Sequence, residues 1–175
     1  NNDLANNLGN LVSRTHAMTK KYFDGIVPAP DRVEPIDDEL KATVASAITK
    51  SVELMDAYHV ADSLDEIFSM LRRANKYIDE TMPWALAKNE EDKPRLATVI
   101  YNLLETIRIG AVLLKPYIPT TAENIFSQLG TDKTDFTSIK AFGALESGKE
   151  LGEAFTLFAR IDEKKFLEEM EAKIA

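Results

Sequence analysis

The sequence predicts an all-α protein: an antiparallel bundle of five to six helices with a C-terminal docking helix. Two observations predict it. Apolar residues recur at three-and-four spacing in one segment after another, the signature of helices that bury one face. Between those segments stand residues that start or stop helices, among them Gly25, Pro28, Pro30, Pro83, Pro94, Pro116, Pro119 and Gly130.

The first helix carries Leu4, Leu8, Leu11, Thr15, Met18 and Tyr22 on one stripe. Asn6, Asn10, Arg14 and Lys21 fall on another side. Amide and guanidinium groups four residues apart suit flat, hydrogen-bonding objects such as base edges. By periodicity alone, such a stripe is also what an ordinary solvated helix face looks like. Asp24-Gly25 and Val27-Pro-Ala-Pro30 form a connector.

A second helix is expected from Asp37-Asp38, whose carboxylates suit a positive helix start, to Tyr58-His59. Leu40, Val44, Ile48, Val52 and Met55 mark its buried face. In the third helix Ser63 and Glu66 have capping-box spacing. Leu64, Ile67, Phe68, Leu71, Asn75 and Ile78 then share a stripe, while Arg72, Arg73 and Lys76 form a basic face toward solvent. Asn75 is expected to be buried and to satisfy the backbone near the following turn. In that turn Pro83 suits the first position of a new helix. Trp84, the single tryptophan, is either a core residue or a ring held at a helix start as a stacking platform.

After Asn89-Glu-Glu-Asp92, Leu96, Val99, Ile100, Leu103, Leu104, Ile107, Ala111 and Leu114 predict a central buried helix. Thr120 and Glu123 have capping-box spacing at the start of a short helix carrying Ile125, Phe126 and Leu129 and ending at Gly130. Residues 131–153 read as loop, Phe155–Phe158 as a short extended segment, and Asp162 as the cap of a last helix with Phe166, Leu167, Met170 and Ile174 on one side. The chain is expected to be one domain: a bundle over 1–130, an irregular connector over 131–161 and a helix over 162–175.

Composition narrows the function classes. The 175 residues are 45% hydrophobic and 29% charged, a globular composition. With no cysteine, disulfides and thiolate metal sites are excluded. No apolar run approaches the ~20 residues of a membrane span and no secretory signal precedes the first helix, so a cytoplasmic location without membrane partners is expected. The chain opens on Asn1 rather than Met, as an excerpt of a longer protein would.

The net charge of −8 counts against non-specific phosphate binding. Local charge differs. Arg14, Lys20 and Lys21 face only Asp3 within residues 1–23, and residues 67–78 hold Arg72, Arg73 and Lys76 with no acid. Residues 132–175 are acidic overall. His16 and His59 lack metal-ligand neighbours, and neither a phosphate loop nor a nucleophile elbow is present. Catalysis is not expected of this chain by itself. Two readings remain: an RNA-reading module, or a helical protein-interaction bundle.

Leu4-Ala-Asn-Asn-Leu-Gly-Asn-Leu-Val-Ser-Arg14 with Tyr22-Phe-Asp-Gly25 resembles methionyl-tRNA synthetases just after their catalytic domain. So do Asn75-Lys-Tyr-Ile-Asp-Glu80 with Pro83-Trp84, Leu114-Lys-Pro-Tyr-Ile-Pro119, and Leu157-Phe-Ala-Arg-Ile-Asp162. The resemblance covers essentially the whole chain. Single pieces are shared with the class I synthetases for Leu, Val, Ile and Cys, whereas Asn10–Arg14 with the Pro83-Trp84 step is more particular to the methionyl enzymes.

The resemblance implies a helical anticodon-binding domain for the CAU anticodon loop of methionine tRNAs. It implies that Trp84 stacks on the first anticodon base, that Asn10 and Arg14 contact base edges, and that Asn6 supports them. Lys20, Lys21, Arg72, Arg73 and Lys76 are then possible phosphate contacts. The family joins methionine to tRNA with ATP and magnesium, but its H-x-G-H and K-M-S-K-S motifs are absent here. No cofactor is therefore expected in this chain, and its last helix is expected to pack on a catalytic domain outside it.

Overall fold

The structure, a computed structural model, describes residues 2–158 together with 166, 167 and 170. A π-helical segment, Asn2–Gly9, runs into α1, Asn10–Phe23. There follow α2 (Pro35–Asp56), α3 (Val60–Thr81), the short α4 (Pro83–Leu86), α5 (Lys93–Leu114) and α6 (Pro119–Leu129). Single 3₁₀ turns occupy Glu90–Asp92 and Phe136–Ile139. Successive long helices alternate in direction, giving an all-α antiparallel bundle. Among the described residues there is no strand, only an isolated antiparallel bridge between Ile26 and Glu150.

The core centres on α5, whose residues 95–114 are all buried. By length and composition α5 with the turn before it would be apolar enough to cross a membrane, with a mean hydropathy of 1.5 over its best window, and that window lies wholly inside the protein. This is the central buried helix that the periodicity predicts; Asn102, Glu105 and Arg108 interrupt its apolar run, yet all three are buried and bonded. Arg108 forks onto Glu105 at 2.8 and 2.9 Å and donates to the carbonyls of Lys133 and Ser138. The Glu105 carboxylate in turn accepts from the backbone N–H groups of Gly143, Ala144 and Leu145. Tyr101, whose hydroxyl burial pushes up to about 12, donates to the carbonyl of Leu145. The polar 131–145 loop is thus pinned to the core by the charges of α5.

A second buried cluster ties three helix ends together. Arg95 of α5 forks onto Asp37 of α2 at 2.7 and 2.8 Å, and Tyr77 of α3 donates to the same carboxylate at 2.6 Å. Burial alone would raise the Asp37 carboxyl, but the hydrogen bonds from Arg95 and Tyr77 outweigh it and hold it below the ordinary carboxylate range. Burial, reinforced by Asp37, drives the Tyr77 hydroxyl far up. The Asp37 carboxylate also accepts the Glu34 N–H, so it caps α2 from the third helical position while Pro35 takes the first.

Several expectations need correction. Ser63 does not cap α3, which begins at Val60; its buried hydroxyl donates 2.8 Å to the Ser51 carbonyl of α2. Thr120 does not cap α6 either, since that helix begins at Pro119, and Glu123 pairs with Lys115 at 2.8 Å. Val52 and Met55 are exposed near the α2–α3 turn. Phe155–Phe158 forms no strand. Asp162 and Ile174 lie outside the described residues; Phe166, Leu167 and Met170 are helical and exposed.

The chain after α6 returns along α1. The Gly152 N–H donates to the Gln128 carbonyl at 2.9 Å, and its own carbonyl lies 2.9 Å from Nε2 of buried His16. A Cβ on Gly152 would overlap the Ser127 carbonyl, so glycine is what allows the backbone to lie directly on the end of α6. From there Thr156, Leu157 and Phe158 reach the N-terminal end of α1.

Candidate nucleic-acid interface

The N-terminal segment is helical as its periodicity requires, but its first part is wound with i→i+5 bonds rather than i→i+4. Leu8, Leu11 and Thr15 are buried, with Leu4, Met18 and Tyr22 half-buried against the core. Val12, His16 and Thr19 are buried as well. The π winding turns Asn7 inward, where its Oδ1 accepts a 2.7 Å bond from Nδ2 of Asn75 on α3. Asn75 is partly buried, and it engages Asn7 and Leu71 rather than the turn that follows α3.

Asn6 and Asn10 are exposed on the outer side of this helix. With Ala5, Gly9 and Ser13 they line a cleft of about 210 Å³ whose other wall is Thr156, Leu157 and Phe158. Gly9 admits that wall, for a Cβ there would come within 3.3 Å of the Phe158 ring. The cleft therefore has amide and hydroxyl groups on one side and an aromatic ring on the other.

Arg14 leans toward α3, its Nη2 3.4 Å from Oδ1 of Asp79 in the last turn of that helix. Just beyond, Met82 takes a left-handed conformation (φ 44°) that closes α3, its N–H donating to the Ile78 carbonyl. Met82 also opens α4, with Pro83 buried at the first helical position. Trp84 follows, 43% exposed. The lone tryptophan is not a core residue. The backbone reversal at Met82 and the anchoring of Pro83 hold its ring at the surface at the end of the helix that Arg14 touches.

The basic face of α3 is less free than its sequence suggests. Arg72 reaches Asp3 at 3.3 Å. Arg73, with its side chain only 17% exposed, lies between Glu80 at 2.9 Å and Glu39 at 3.5 Å. Lys76 reaches the same Glu80 at 3.4 Å. Lys20 and Lys21 are exposed on α1; Lys20 borders a second cleft with His16 and residues 153–156, and the Lys21 ammonium sits 5.4 Å over the Tyr22 ring. The structure thus brings Arg14 to the Trp84 end of α3 and sets Asn6 and Asn10 beside the returning chain, while acids temper the α3 cations. Sequence reading missed Asn7, Asp79 and Glu39 as partners. Only the Lys76–Glu80 pair carries a local signal, its i,i+4 spacing.

The comparisons with known proteins agree with one another. The family model for the anticodon binding domain of methionyl tRNA ligase matches residues 27–175. A methionine–tRNA ligase of Clostridium tetani is 49% identical over 97% of this chain, and one of Caldanaerobacter subterraneus is 46% identical over 99%. The chain spans about a quarter of the length of these relatives, 26% and 27%. Among solved structures, the apo form of Mycobacterium tuberculosis methionyl-tRNA synthetase superposes with a TM-score of 0.86 at 34% identity, over 91% of this chain and 33% of that one. The same enzyme bound by methionyl-adenylate gives 0.84, over 90% and 32%. The whole helical bundle is thus found again, at substantial identity, within longer proteins of one kind, and the chain belongs to the family of anticodon-binding domains of methionyl-tRNA ligases.

Proposed function

We propose that this chain reads the CAU anticodon loop of methionine tRNAs, as the non-catalytic part of an enzyme that joins methionine to tRNA. The observation that carries the reading is the contact of Arg14 with Asp79, which sets a base-reading helix against the helix end bearing an exposed Trp84. Anticodon bases are unstacked loop bases, which RNA readers hold by aromatic stacking and edge hydrogen bonds. In this reading Trp84 stacks on the first base, Asn10 and Arg14 meet base edges, and Asn6 supports them. Lys20, Lys21, Arg72, Arg73 and Lys76 contribute a modest, salt-sensitive attraction to phosphates.

Adenylate chemistry, with its ATP and magnesium, belongs in this reading to the part of the relatives that the chain does not span, and the chain alone forms no methionyl-adenylate. Exposed Phe166, Leu167 and Met170 suit packing against that catalytic part, and protein synthesis places the enzyme in the cytoplasm. The test is titration with a CAU anticodon stem-loop and with one altered at its first base, followed by Trp84 fluorescence. Preferential quenching by the CAU loop is expected. Equal affinity for both loops, or no response at low salt, overturns the reading in favour of a protein-interaction bundle.

A further inference from the structure

Among the described residues, Asp3, Asn7 and Arg14 join the N-terminal helix to α3 by polar contacts that advance together along both elements. Asp3 meets Arg72, Asn7 meets Asn75, and Arg14 meets Asp79. The two helices are therefore parallel neighbours clamped in one register, and the clamped helix is the one that ends at the Met82-Pro83-Trp84 step. The outer rungs are ion pairs between exposed side chains, which water and salt weaken. The middle rung is different. The Nδ2 group of Asn75 lies 2.7 Å from the side-chain oxygen of Asn7, 3.3 Å from its main-chain oxygen, and 3.2 Å from the Leu71 carbonyl one turn earlier in α3. Its two hydrogens thus serve three oxygens at a partly buried site. Asn7 is itself buried, and its own Nδ2 finds no partner there, so the residue is held in place through its oxygens.

This grip falls within the π-helical Asn2–Gly9, immediately beside Asn6 and one turn before Asn10. A π turn is a strained alternative to the α-helix that persists where surroundings hold it. We propose that Asn75 is a positioning residue for anticodon discrimination: by gripping both oxygens of Asn7 it holds the π-wound turn that presents Asn6, and fixes the register of Asn10 and Arg14 against the helix end that carries Trp84. The proposal rests on the reading of the interface given above. It adds a residue that reaches the RNA only through others.

The test compares affinities for the CAU stem-loop and for one with an altered first anticodon base, with thermal unfolding of each variant measured alongside. Asn75→Asp keeps the shape but sets oxygens against the oxygens of Asn7. Its preference for the CAU loop is expected to fall roughly tenfold, with affinity for the altered loop unchanged. Ile125→Val, a core change in α6 remote from the ladder, controls for lost stability and is expected to keep the preference. Should Asn75→Asp not fold, Asn75→Ala takes its place; if neither folds, Asn75 is a structural residue and the proposal is overturned. An unchanged preference, or an equal loss on both loops, also overturns it. A wild-type chain without preference sinks the anticodon reading itself, whereas wild-type preference that survives in Asn75→Asp sinks this inference alone.

Discussion

Nη2 of Arg14 lies 3.4 Å from Oδ1 of Asp79, joining residues far apart in sequence at the end of α3 that leads to Trp84. The pair is 42% and 67% exposed, so it contributes at most about 1 kcal/mol to stability. Arg14 can therefore be changed without loss of the fold. Arg14→Gln is expected to unfold at nearly the wild-type temperature while losing discrimination between CAU and altered stem-loops. An equal loss of affinity on all loops would reassign Arg14 to phosphate contact.

Trp84→Ala separates a platform from a core residue. The ring is 43% exposed, and the α3–α4 step is held by buried Pro83 rather than by the indole. Cooperative unfolding should persist, and stem-loop affinity should fall by about 1–3 kcal/mol, the value of one stacked base. Loss of cooperative unfolding in this variant would show that the ring supports the core after all.

The buried Asp37–Arg95 pair makes stability depend on pH in the acid range. The native carboxyl lies below its unfolded value, so between the two the unfolded chain binds more protons and stability rises with pH. Its contribution is complete above the ordinary carboxylate range near pH 4 and is lost as pH falls through the native value. Asp37→Asn leaves Arg95 charged and half-paired, and should cost about 3–5 kcal/mol near neutrality. Urea unfolding at several pH values should show a shallower acid limb in the variant than in the wild type.

Gly152→Ala tests the return of the chain along α1. A methyl group there meets the Ser127 carbonyl, and relieving the overlap would pull the Gly152 carbonyl from His16. A cost of about 1–3 kcal/mol is expected, as for other overpacked positions. Hydrogen exchange should accelerate at the amides of Leu151 and Gly152, which donate to Gly25 and Gln128. Unchanged exchange at both would show that the strap tolerates a Cβ.

Lys21 is exposed on the outer face of α1. If it meets a phosphate, Lys21→Ala should reduce the dependence of log affinity on log salt by about 0.7 and weaken CAU and altered loops alike. A change in loop preference instead would place Lys21 at a base.

Much of the bundle was legible because a helix that buries one face must repeat its apolar residues locally. The buried stripe of α3 and the central α5 follow from that periodicity, and the break at Pro83 and the end of α6 at Gly130 from the backbone preferences of proline and glycine. Helix starts were less legible. Ser63 and Thr120 have capping spacing, but Ser63 bonds across to Ser51, and Pro119 already begins α6 before Thr120. At the interface, the three-and-four stripe placed Asn6, Asn10 and Arg14 on one side of a helix, and family resemblance joined them to Trp84.

By itself, the sequence determined the helical class, the order of the helices, most of the buried faces and the kinship of the chain. The first three depend on residue type repeated at short range, and kinship on residue identities along the chain. Tertiary structure decided whether Trp84 is exposed, where the α3 cations find their acids, and how Asn7 and Asn75 meet. It also decided that the buried charges of Glu105 and Arg108 organise the loop beyond α6. The physical reason is that hydrogen bonds and ion pairs act over a few ångströms, so their partners are chosen by which helix faces which, and local periodicity does not specify that.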